Sequence, residues 1–257
     1  MSLNKLFKKL LIGGTGNGVH NNGRPNLSAV DLFSNVPFQN ELQFLFDNLE
    51  LKIGHLRQKT ITVSSSTLGE GSSTLAAYYG LQLARGHIHP ATTNNGVLRD
   101  SSRDVLLIDA NFRHPSLHSL FNIENSTGFA ELLQKKADLK DCIFYLDDIN
   151  LNIMTTGQSM NHSIKEFNSE IVKDVIKQIR ENFSYVIIDS APIQSNPDTL
   201  VLTQLTDGLI LIVRAETTKR EVIRKAISKT GEAHINILGV VLNRREYHIP
   251  KIIYDNI

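Results

Sequence analysis

Apolar and polar positions are grouped in blocks along the chain, and the lengths of these blocks predict strands that alternate with helices. Short, nearly continuous apolar runs are typical of buried parallel strands, whereas apolar residues spaced three and four apart indicate helices. Strands are predicted at 60–64, 104–109, 151–154, 185–189, 208–213 and 237–242, and the clearest helices at 39–56, 73–85, 169–182 and 219–231. This alternation predicts an α/β fold, a doubly wound and mainly parallel sheet with helices on both faces.

The same pattern predicts one domain preceded by an arm. Residues 36–257 form the predicted domain, with a polar loop or insertion at 86–103, and no internal repeat is visible. Residues 1–35 form the predicted N-terminal arm, in which 13–30 are rich in Gly and Asn and are typical of a flexible linker. The first twelve residues place leucines opposite lysines at helical spacing. They predict either a short helix on a membrane surface or partner protein, or a helix packed on its own domain.

Composition excludes several classes of protein. The formal net charge of the 257 residues is +1, which gives no strong attraction to nucleic acid. Cys142 is the single cysteine, so the chain has no internal disulfide and suits a reducing cytosol. No stretch approaches the roughly 20 apolar residues that span a bilayer. We therefore expect a cytoplasmic protein, and the N-terminal segment is compatible with peripheral attachment at the inner face of the cell membrane.

A glycine-rich segment at 65–74 follows the first predicted strand and precedes a helix. Gly69 and Gly71 provide a tight turn whose backbone N–H groups could wrap phosphate, as in a P-loop, and Ser73 stands where such loops hold magnesium. Ser72 occupies the position of the phosphate-binding lysine. The serine side chain is short and uncharged, so this segment alone equally fits an ordinary turn between a strand and a helix.

Two aspartates end predicted buried strands. Asp109 closes one strand and Asp189 another, where burial of a carboxylate is costly unless it is paired or bound to a metal. Asp189 is followed by Ser-Ala-Pro, which resembles a Walker B segment that orients a magnesium ion. Arg113, four residues after Asp109, could face a phosphate or pair with a carboxylate. Because ligands bind at the carboxyl ends of parallel strands, we expect these groups to converge with the glycine-rich loop.

These motifs, in this order and spacing, resemble the bacterial tyrosine kinases of capsule and exopolysaccharide systems, within the partition-type P-loop ATPases. The resemblance runs from about residue 36 to residue 244 and includes the stretches at 206–214 and 237–244. It implies a P-loop NTPase-like fold that binds ATP or ADP with Mg²⁺. The residues implied to bind nucleotide are Gly69, Glu70, Gly71, Ser72, Ser73, Thr74 and Arg113; those implied to bind magnesium are Ser73, Asp109 and Asp189, the two acids being catalytic if the protein is active.

The chain departs from the family pattern at four places. Ser72 replaces the P-loop lysine, and Asn111 replaces the second acid of an Asp-x-Asp motif. The helix at 41–49 resembles the family's oligomerisation helix, yet Phe44 and Asp47 stand among residues where arginines are expected. The C-terminal tyrosine cluster is absent, with Tyr247 and Tyr254 alone near the end of this sequence. The changes favour a protein that has lost efficient autokinase activity and argue against the family's ring, while other homo-oligomers stay open.

Three functions remain as hypotheses. The first is a catalytically degenerate relative of these kinases that regulates or scaffolds polysaccharide synthesis or export. The resemblance implies that its partner is the cytosolic part of a membrane polysaccharide copolymerase or chain-length protein. The second is an active tyrosine autokinase or ATPase in which another cation, such as Lys219 or Arg220, replaces the lysine. The third and weakest is a positioning-type ATPase, because that group has lysines in the loop and this chain has none from residue 60 to residue 73.

Other conspicuous residues indicate no site at this level. His114 and His118 lack the converging partners of a metal centre and are interpreted as solvated surface histidines. The Arg244-Arg245 pair is likewise interpreted as surface, although it directly follows the last predicted strand.

Overall fold

The computed structural model describes residues 39–56, 59–86, 91–92, 98–99, 105–158 and 169–244. The predicted N-terminal arm and linker lie outside these residues. The strands run in chain order as follows: β1 Lys59–Ser65, β2 Ala91–Thr92, β3 Leu98–Arg99, β4 Val105–Asp109, β5 Phe144–Leu146, β6 Leu151–Met154, β7 Tyr185–Asp189, β8 Gly208–Arg214 and β9 Ile237–Asn243. All six predicted strands are present within a residue or two of their expected bounds.

The main sheet has the strand order β5-β6-β4-β7-β1-β8-β9. Five of its six strand pairs are parallel, and β5 pairs antiparallel with β6 at one edge. The prediction of a mainly parallel sheet is therefore confirmed. The pattern of residues did not predict β5, because its three half-buried residues are too few to form a recognisable apolar run. In the predicted loop at 86–103, β2 and β3 pair as a two-residue antiparallel ladder.

Helices connect the strands. In chain order they are α1 Gln39–Ile53, α2 Ser72–Gly86, α3 Leu117–Phe121, α4 Phe129–Leu133, a 3₁₀ helix at Leu139–Cys142, α5 Ser169–Asn182, α6 Asp198–Thr203 and α7 Arg220–Glu232. The four long helices were expected. The α helices of five or six residues were not, because they span fewer than two turns and show no helical period. None of the described helices is both long and apolar enough to cross a membrane.

The helices cover both faces of the sheet, as predicted. Strand β8 illustrates the alternation: Ile210 and Ile212 belong to a core shared with α1, α2 and α3, whereas Leu209 and Leu211 belong to a smaller core beneath α7. A third cluster joins the second face to α4 and α5. Because β1 lies between β7 and β8, the loop that follows β1 starts from an interior strand of the sheet.

Helix α1 is attached to the sheet by polar contacts as well as by its apolar face. The Tyr185 hydroxyl donates to Glu50 Oε2 at 3.1 Å, and Lys59 Nζ donates to the same hydroxyl at 2.7 Å. Lys59 and Tyr185 are the first residues of β1 and β7, so these contacts lie at the opposite end of the strands from the glycine-rich loop. On the outer side of α1, Phe44 and Leu51 are 72% and 84% exposed. No described residue covers these two apolar side chains, which face solvent.

Candidate functional site

The predicted site residues meet at the carboxyl edge of the sheet. Residues 66–71 form a loop between β1 and α2. Asp109 and Asp189 are the last residues of β4 and β7, and the two are register partners in adjacent parallel strands. Strand β7 is also the neighbour of β1. The convergence expected from a parallel sheet is therefore present in the structure.

Glu70 stabilises the loop from within. Its carboxylate accepts the backbone N–H groups of Ser66 at 2.8 Å and Thr67 at 3.0 Å, together with both of their hydroxyls. The hydroxyl of Thr218, from the segment after β8, also donates to it. Burial raises the pKa of Glu70, but the hydrogen bonds from Thr218, Thr67 and Ser66 outweigh it and hold that pKa below its usual value. The carboxylate is thus ionised, and it is occupied by donors of its own loop. For the predicted contact of Glu70 with nucleotide, only the backbone of this residue is left.

Two glycines give the loop its shape. Gly69 has a φ of 81° and Gly71 a φ of 101°, a region that other residues adopt at a cost. A Cβ on Gly71 would also lie 2.4 Å from Nδ2 of Asn243. That amide donates to the Glu70 carbonyl at 2.7 Å, which fixes the loop against the end of β9. Asn243 is a loop-positioning residue that the sequence interpretation did not identify.

The first turn of α2 begins at Ser72 and presents Ser72, Ser73 and Thr74, all half-buried, at the site. The first N–H groups of a helix have no partner within the helix and attract anions, as the helix dipole does. The hydroxyls of Ser73 and Ser72 lie near the Asp189 carboxylate and lower its pKa. This turn therefore offers N–H and hydroxyl donors, but Ser72 contributes no positive charge.

Asp109 is fully buried and well bonded. Its Oδ1 accepts the N–H of Asn111 at 3.1 Å, and Oδ2 accepts those of Ser116 at 2.8 Å and Leu117 at 3.0 Å. Burial raises the pKa of Asp109, while these three donors and nearby His118 oppose the rise. The carboxylate thus orders the segment that leads into α3.

Asp189 is equally buried, but neither of its carboxylate oxygens makes a hydrogen bond of normal geometry with any described residue. Burial and the neighbouring Asp109 raise its pKa well above the usual value, against the weaker effect of the two serine hydroxyls. No described lysine or arginine forms an ion pair with Asp189. A buried acid in this state favours either a proton or a cation.

This donor set fits magnesium bound together with phosphate. Mg²⁺ prefers oxygen ligands and is commonly held by one or two carboxylates plus phosphate oxygens and water. Asp189, Asp109 and the Ser73 hydroxyl are the groups that would hold it, and the free oxygens of Asp189 are consistent with such a role. Among the described residues, no group of three or more His, Cys, Asp or Glu side chains is placed to hold a metal ion.

Three predicted cationic residues are not in contact with this centre. Arg113 is exposed after β4, and no described contact joins it to the loop. Lys219 and Arg220 are exposed at the start of α7, and neither forms an ion pair with Asp189. The structure therefore brings together the loop, Ser73 and the two acids, but none of these three cations.

Two residues interpreted as surface positions are partly buried. His118 is half-buried, with a buried Nδ1 that lacks a described partner while Nε2 lies 2.9 Å from the Ser119 hydroxyl. Arg244 is half-buried too, and its Nε is buried without a described hydrogen bond. The interpretation of His118 as a solvated residue was wrong, whereas a half-buried Arg244 is compatible with its interpretation as a surface residue close to the last strand. For Arg244 the available signal was its position directly after the last predicted strand.

No family model matches the chain, but relatives do. Tyrosine-protein kinase YwqD of Bacillus subtilis (strain 168) is 25% identical over 199 residues, which cover 77% of this chain and 78% of the relative. Tyrosine-protein kinase CpsD of Streptococcus pneumoniae serotype 4 (strain ATCC BAA-334 / TIGR4) is 28% identical over 194 residues, which cover 75% of this chain and 79% of the relative. The predicted resemblance to bacterial tyrosine kinases is confirmed.

Solved structures agree on the fold. The kinase domain of Escherichia coli tyrosine kinase ETK matches with a TM-score of 0.75 at 19% identity, covering 97% of this chain and 91% of that one. The chimerical protein CapA2B2 matches with a TM-score of 0.69 at 22% identity, covering 85% and 89%. The septum site-determining protein MinD from Pyrococcus horikoshii OT3, complexed with Mg-ADP, matches with a TM-score of 0.56 at 20% identity, covering 77% and 76%. The fold is that of the partition-type P-loop ATPases.

Proposed function

We propose that this chain is a catalytically degenerate relative of the bacterial tyrosine kinases that regulates or scaffolds exopolysaccharide or capsule synthesis and export. The proposal is supported by the similarity to named tyrosine-protein kinases and by a glycine-rich loop in which Ser72 stands where a P-loop carries its lysine. Its central observation is the serine at position 72, at the first turn of α2 and near the buried, unbonded carboxylate of Asp189.

The missing charge matters because phosphoryl transfer depends mainly on positioning and charge stabilisation. Removing one charge-stabilising contact from an active site typically costs about 10²–10³ in rate, or roughly 3–4 kcal/mol. Asn111 in place of an acid removes a second charged group from the same edge of the sheet. Neither an ion pair nor a described cation near Asp189 compensates for these losses. These features together support a protein without efficient kinase activity.

Binding of nucleotide is less sensitive to the lysine than catalysis is. The glycine turn, the N–H groups of the first turn of α2 and the Ser73 hydroxyl remain available to phosphate oxygens. Magnesium, when bound, would neutralise phosphate charge beside Asp109 and Asp189. We infer that ATP or ADP binds weakly, as a regulatory ligand at most.

The proposed partner is the cytosolic part of a membrane polysaccharide copolymerase or chain-length protein. Exposed Phe44 and Leu51 on α1 supply an apolar contact for a partner protein. The amphipathic segment at the N-terminus, which lies outside the described residues, is a second candidate contact. Peripheral location at the inner face of the membrane follows from this partner.

An active autokinase or ATPase is the second candidate, and the retained acids favour it. Ser73, Asp109 and Asp189 keep the oxygen ligands that magnesium requires. This function needs a cation from outside the described contacts, from Lys219, Arg220 or another residue, to reach the P-loop. It predicts phosphorylation with the unchanged sequence.

A phosphorylation assay separates the two candidates. The purified chain is incubated with Mg-ATP and a tyrosine-containing peptide substrate, in parallel with Ser72→Lys. We expect no phosphotyrosine from the unchanged chain. Phosphotyrosine on the chain or on the peptide would overturn the hypothesis of a catalytically degenerate protein, provided that Asp189→Asn abolishes the phosphorylation.

A complementation experiment tests the scaffolding role. Cells that lack the gene receive either the unchanged chain or Asp189→Asn, and the length distribution of their surface polysaccharide is measured. A scaffold predicts that deletion alters the polymer and that both versions restore it. Restoration by the unchanged chain but not by a folded, equally abundant Asp189→Asn would favour the enzyme.

A further inference from the structure

Strand β9 leaves one edge of the main sheet open. Within the part of the chain that the structure describes, β8 pairs with one side of β9, and no strand pairs with the other. The Ala215 N–H donates to the Asn243 carbonyl at 2.8 Å, so the backbone groups of Asn243 face β8. Because backbone groups point alternately to the two sides of a strand, those of Leu242 and Val240 face the open side. An edge of this kind can pair with a further extended segment.

Helix α1 protects only the first half of this edge. Lys52 Nζ donates to the Leu238 carbonyl at 2.5 Å, and a lysine at an edge strand is a common protection against unwanted pairing. The outward backbone groups of Val240 and Leu242 form no hydrogen bond with any described residue. The half of β9 that leads to Arg244 is therefore available for pairing.

The same half of β9 carries exposed apolar side chains. Val240 and Leu242 are 48% and 56% exposed. They are the register partners of Leu211 and Val213, which belong to the core beneath α7, so they lie on the α7 face of the sheet. Unpaired backbone groups and exposed apolar side chains thus coincide at the same two residues.

Helix α7 extends this apolar surface. Lys229 Nζ donates to the Gln194 carbonyl at 3.2 Å, so this flank of α7 faces the segment after β7. Ile227 lies about 200° around the helix from Lys229 and therefore on the opposite flank, towards β9, because β7 and β9 lie on opposite sides of β8. Its side chain is 42% exposed. We call Ile227, Val240 and Leu242 together the edge strip.

The chain itself supplies a segment at this place. Residues 245–257 lie outside the described residues and follow β9 after a single residue, Arg244. The φ of Arg244 is 58°, a left-handed value that occurs in tight turns, and its N–H donates to the Asn243 side-chain oxygen at 2.8 Å. Apolar residues are frequent in the segment and favour burial against another surface; they are Tyr247, Ile249, Ile252, Ile253, Tyr254 and Ile257.

We propose that residues 246–250 bind to the open half of β9 as an antiparallel edge strand and cover the edge strip. The short connection to β9 gives this segment a far higher effective concentration at the edge than a separate partner has. A second copy of the chain is a poorer occupant, because exposed Arg220 and Arg224 lie on the same flank of α7 as Ile227 and would meet like charges across a two-fold contact. The proposal goes beyond the proposed function, since it requires neither nucleotide nor a polysaccharide protein.

Pro250 restricts the register of this pairing. It has no N–H, so it fits only opposite a residue of β9 whose backbone groups face β8. Gly239, four residues before Asn243, is such a residue. Pairing Pro250 with Gly239 leaves a four-residue loop at 243–246, a length that occurs in hairpins. This is the register that we propose.

The same register brings apolar residues onto the edge strip. Tyr247 lies opposite Leu242, and Ile249 lies opposite Val240. Because opposite residues of an antiparallel pair share a face, the tyrosine and isoleucine side chains pack beside the strip. Ile249 also precedes a proline, which favours an extended backbone at this position. Backbone pairing and apolar burial therefore require the same alignment.

Amide hydrogen exchange in the full chain, followed by NMR, tests the proposal. The N–H groups of Val240 and Leu242 should be protected about 100-fold or more, because they are hydrogen-bonded to the segment. Ile249→Asp puts a charge into the apolar contact and should speed their exchange at least about tenfold. Asn256→Asp adds the same charge outside the paired residues and should change it less than about twofold. The Val241 N–H, which faces β8, reports in each variant that the sheet is intact.

Three results would overturn the proposal. The first is unprotected exchange of the Val240 and Leu242 N–H groups in the unchanged chain, which would show that the edge is open. The second is undiminished protection in folded Ile249→Asp. The third is protection that increases with protein concentration, which would identify a second copy as the occupant. None of these readouts depends on nucleotide or kinase activity, so they are independent of the proposed function.

Discussion

Asp109 and Asp189 are register partners on adjacent parallel strands, yet they have opposite environments. Asp109 accepts three backbone N–H groups, whereas Asp189 accepts no hydrogen bond of normal geometry from a described residue. Both are fully buried, so the charge of one raises the pKa of the other. This asymmetry identifies Asp189 as the group that most needs a proton or a cation, and Asp109 as the better ordered member of the pair.

Asp189→Asn should therefore stabilise the unliganded protein at neutral and alkaline pH. The raised pKa of Asp189 means that the folded state binds a proton more tightly than the unfolded chain, so its contribution to stability is lost as pH rises from about 4 toward that raised value. The neutral amide removes this loss, and we expect a gain of about 1–3 kcal/mol at pH 8. Urea unfolding at pH 5 and pH 8 measures it. A variant that is less stable than the unchanged chain at pH 8 would contradict the assignment.

Glu70→Gln should have the opposite effect. The lowered pKa of Glu70 means that its carboxylate stabilises the fold above about pH 4.3, the ordinary value, and that this stability is lost as pH falls through the lower folded value. Replacement by the amide should cost about 1–3 kcal/mol at pH 7, since several charge-assisted hydrogen bonds end on this group. Urea unfolding measures the difference, which should shrink toward pH 3.

Exposed Glu221 on α7 supplies the control for that experiment. Glu221→Gln should change stability by less than about 0.5 kcal/mol. If the Gln substitution at position 70 is as mild as the one at 221, the carboxylate is not what holds the loop.

Gly71→Ala should destabilise the protein by about 1–3 kcal/mol. The alanine would have to adopt a φ of 101°, and its methyl group would lie 2.4 Å from the Asn243 amide nitrogen that fixes the loop. Gly231→Ala is the matched control, because Gly231 lies in α7 with no atom within 4 Å of the added Cβ. That change should be neutral or stabilising by up to about 1 kcal/mol. Thermal unfolding of both variants decides the question, and equal melting temperatures would refute the close approach.

The sequence predicted the parts of the fold that depend on local pattern. The strands that end at Asp109 and Asp189 are continuous apolar runs because both faces are buried, and the convergence of the two acids followed from a parallel sheet. Short elements such as β5 and α3 escaped prediction because three to five residues cannot display a period.

The contacts that shape the loop were beyond prediction for a different reason. Thr218 and Asn243 reach Glu70 across 148 and 173 residues of sequence, respectively. Such contacts depend on how β8 and β9 align with β1, and register is a property of the assembled sheet. The direction of the Glu70 carboxylate, which turns onto its own loop, follows from the same contacts. No local pattern specifies it.

The most direct test of the central claim is calorimetric titration of Mg-ATP into the unchanged chain, Ser72→Lys and Ser72→Ala. A lysine restores charge at the first turn of α2, where phosphate is expected, and alanine controls for loss of the serine hydroxyl. We predict weak or undetectable binding to the unchanged chain, no gain with alanine, and at least about tenfold tighter binding with lysine, or about 1.4 kcal/mol. Tight binding to the unchanged chain, or no gain from the lysine in a folded variant, would contradict a nucleotide site that lacks a single charge.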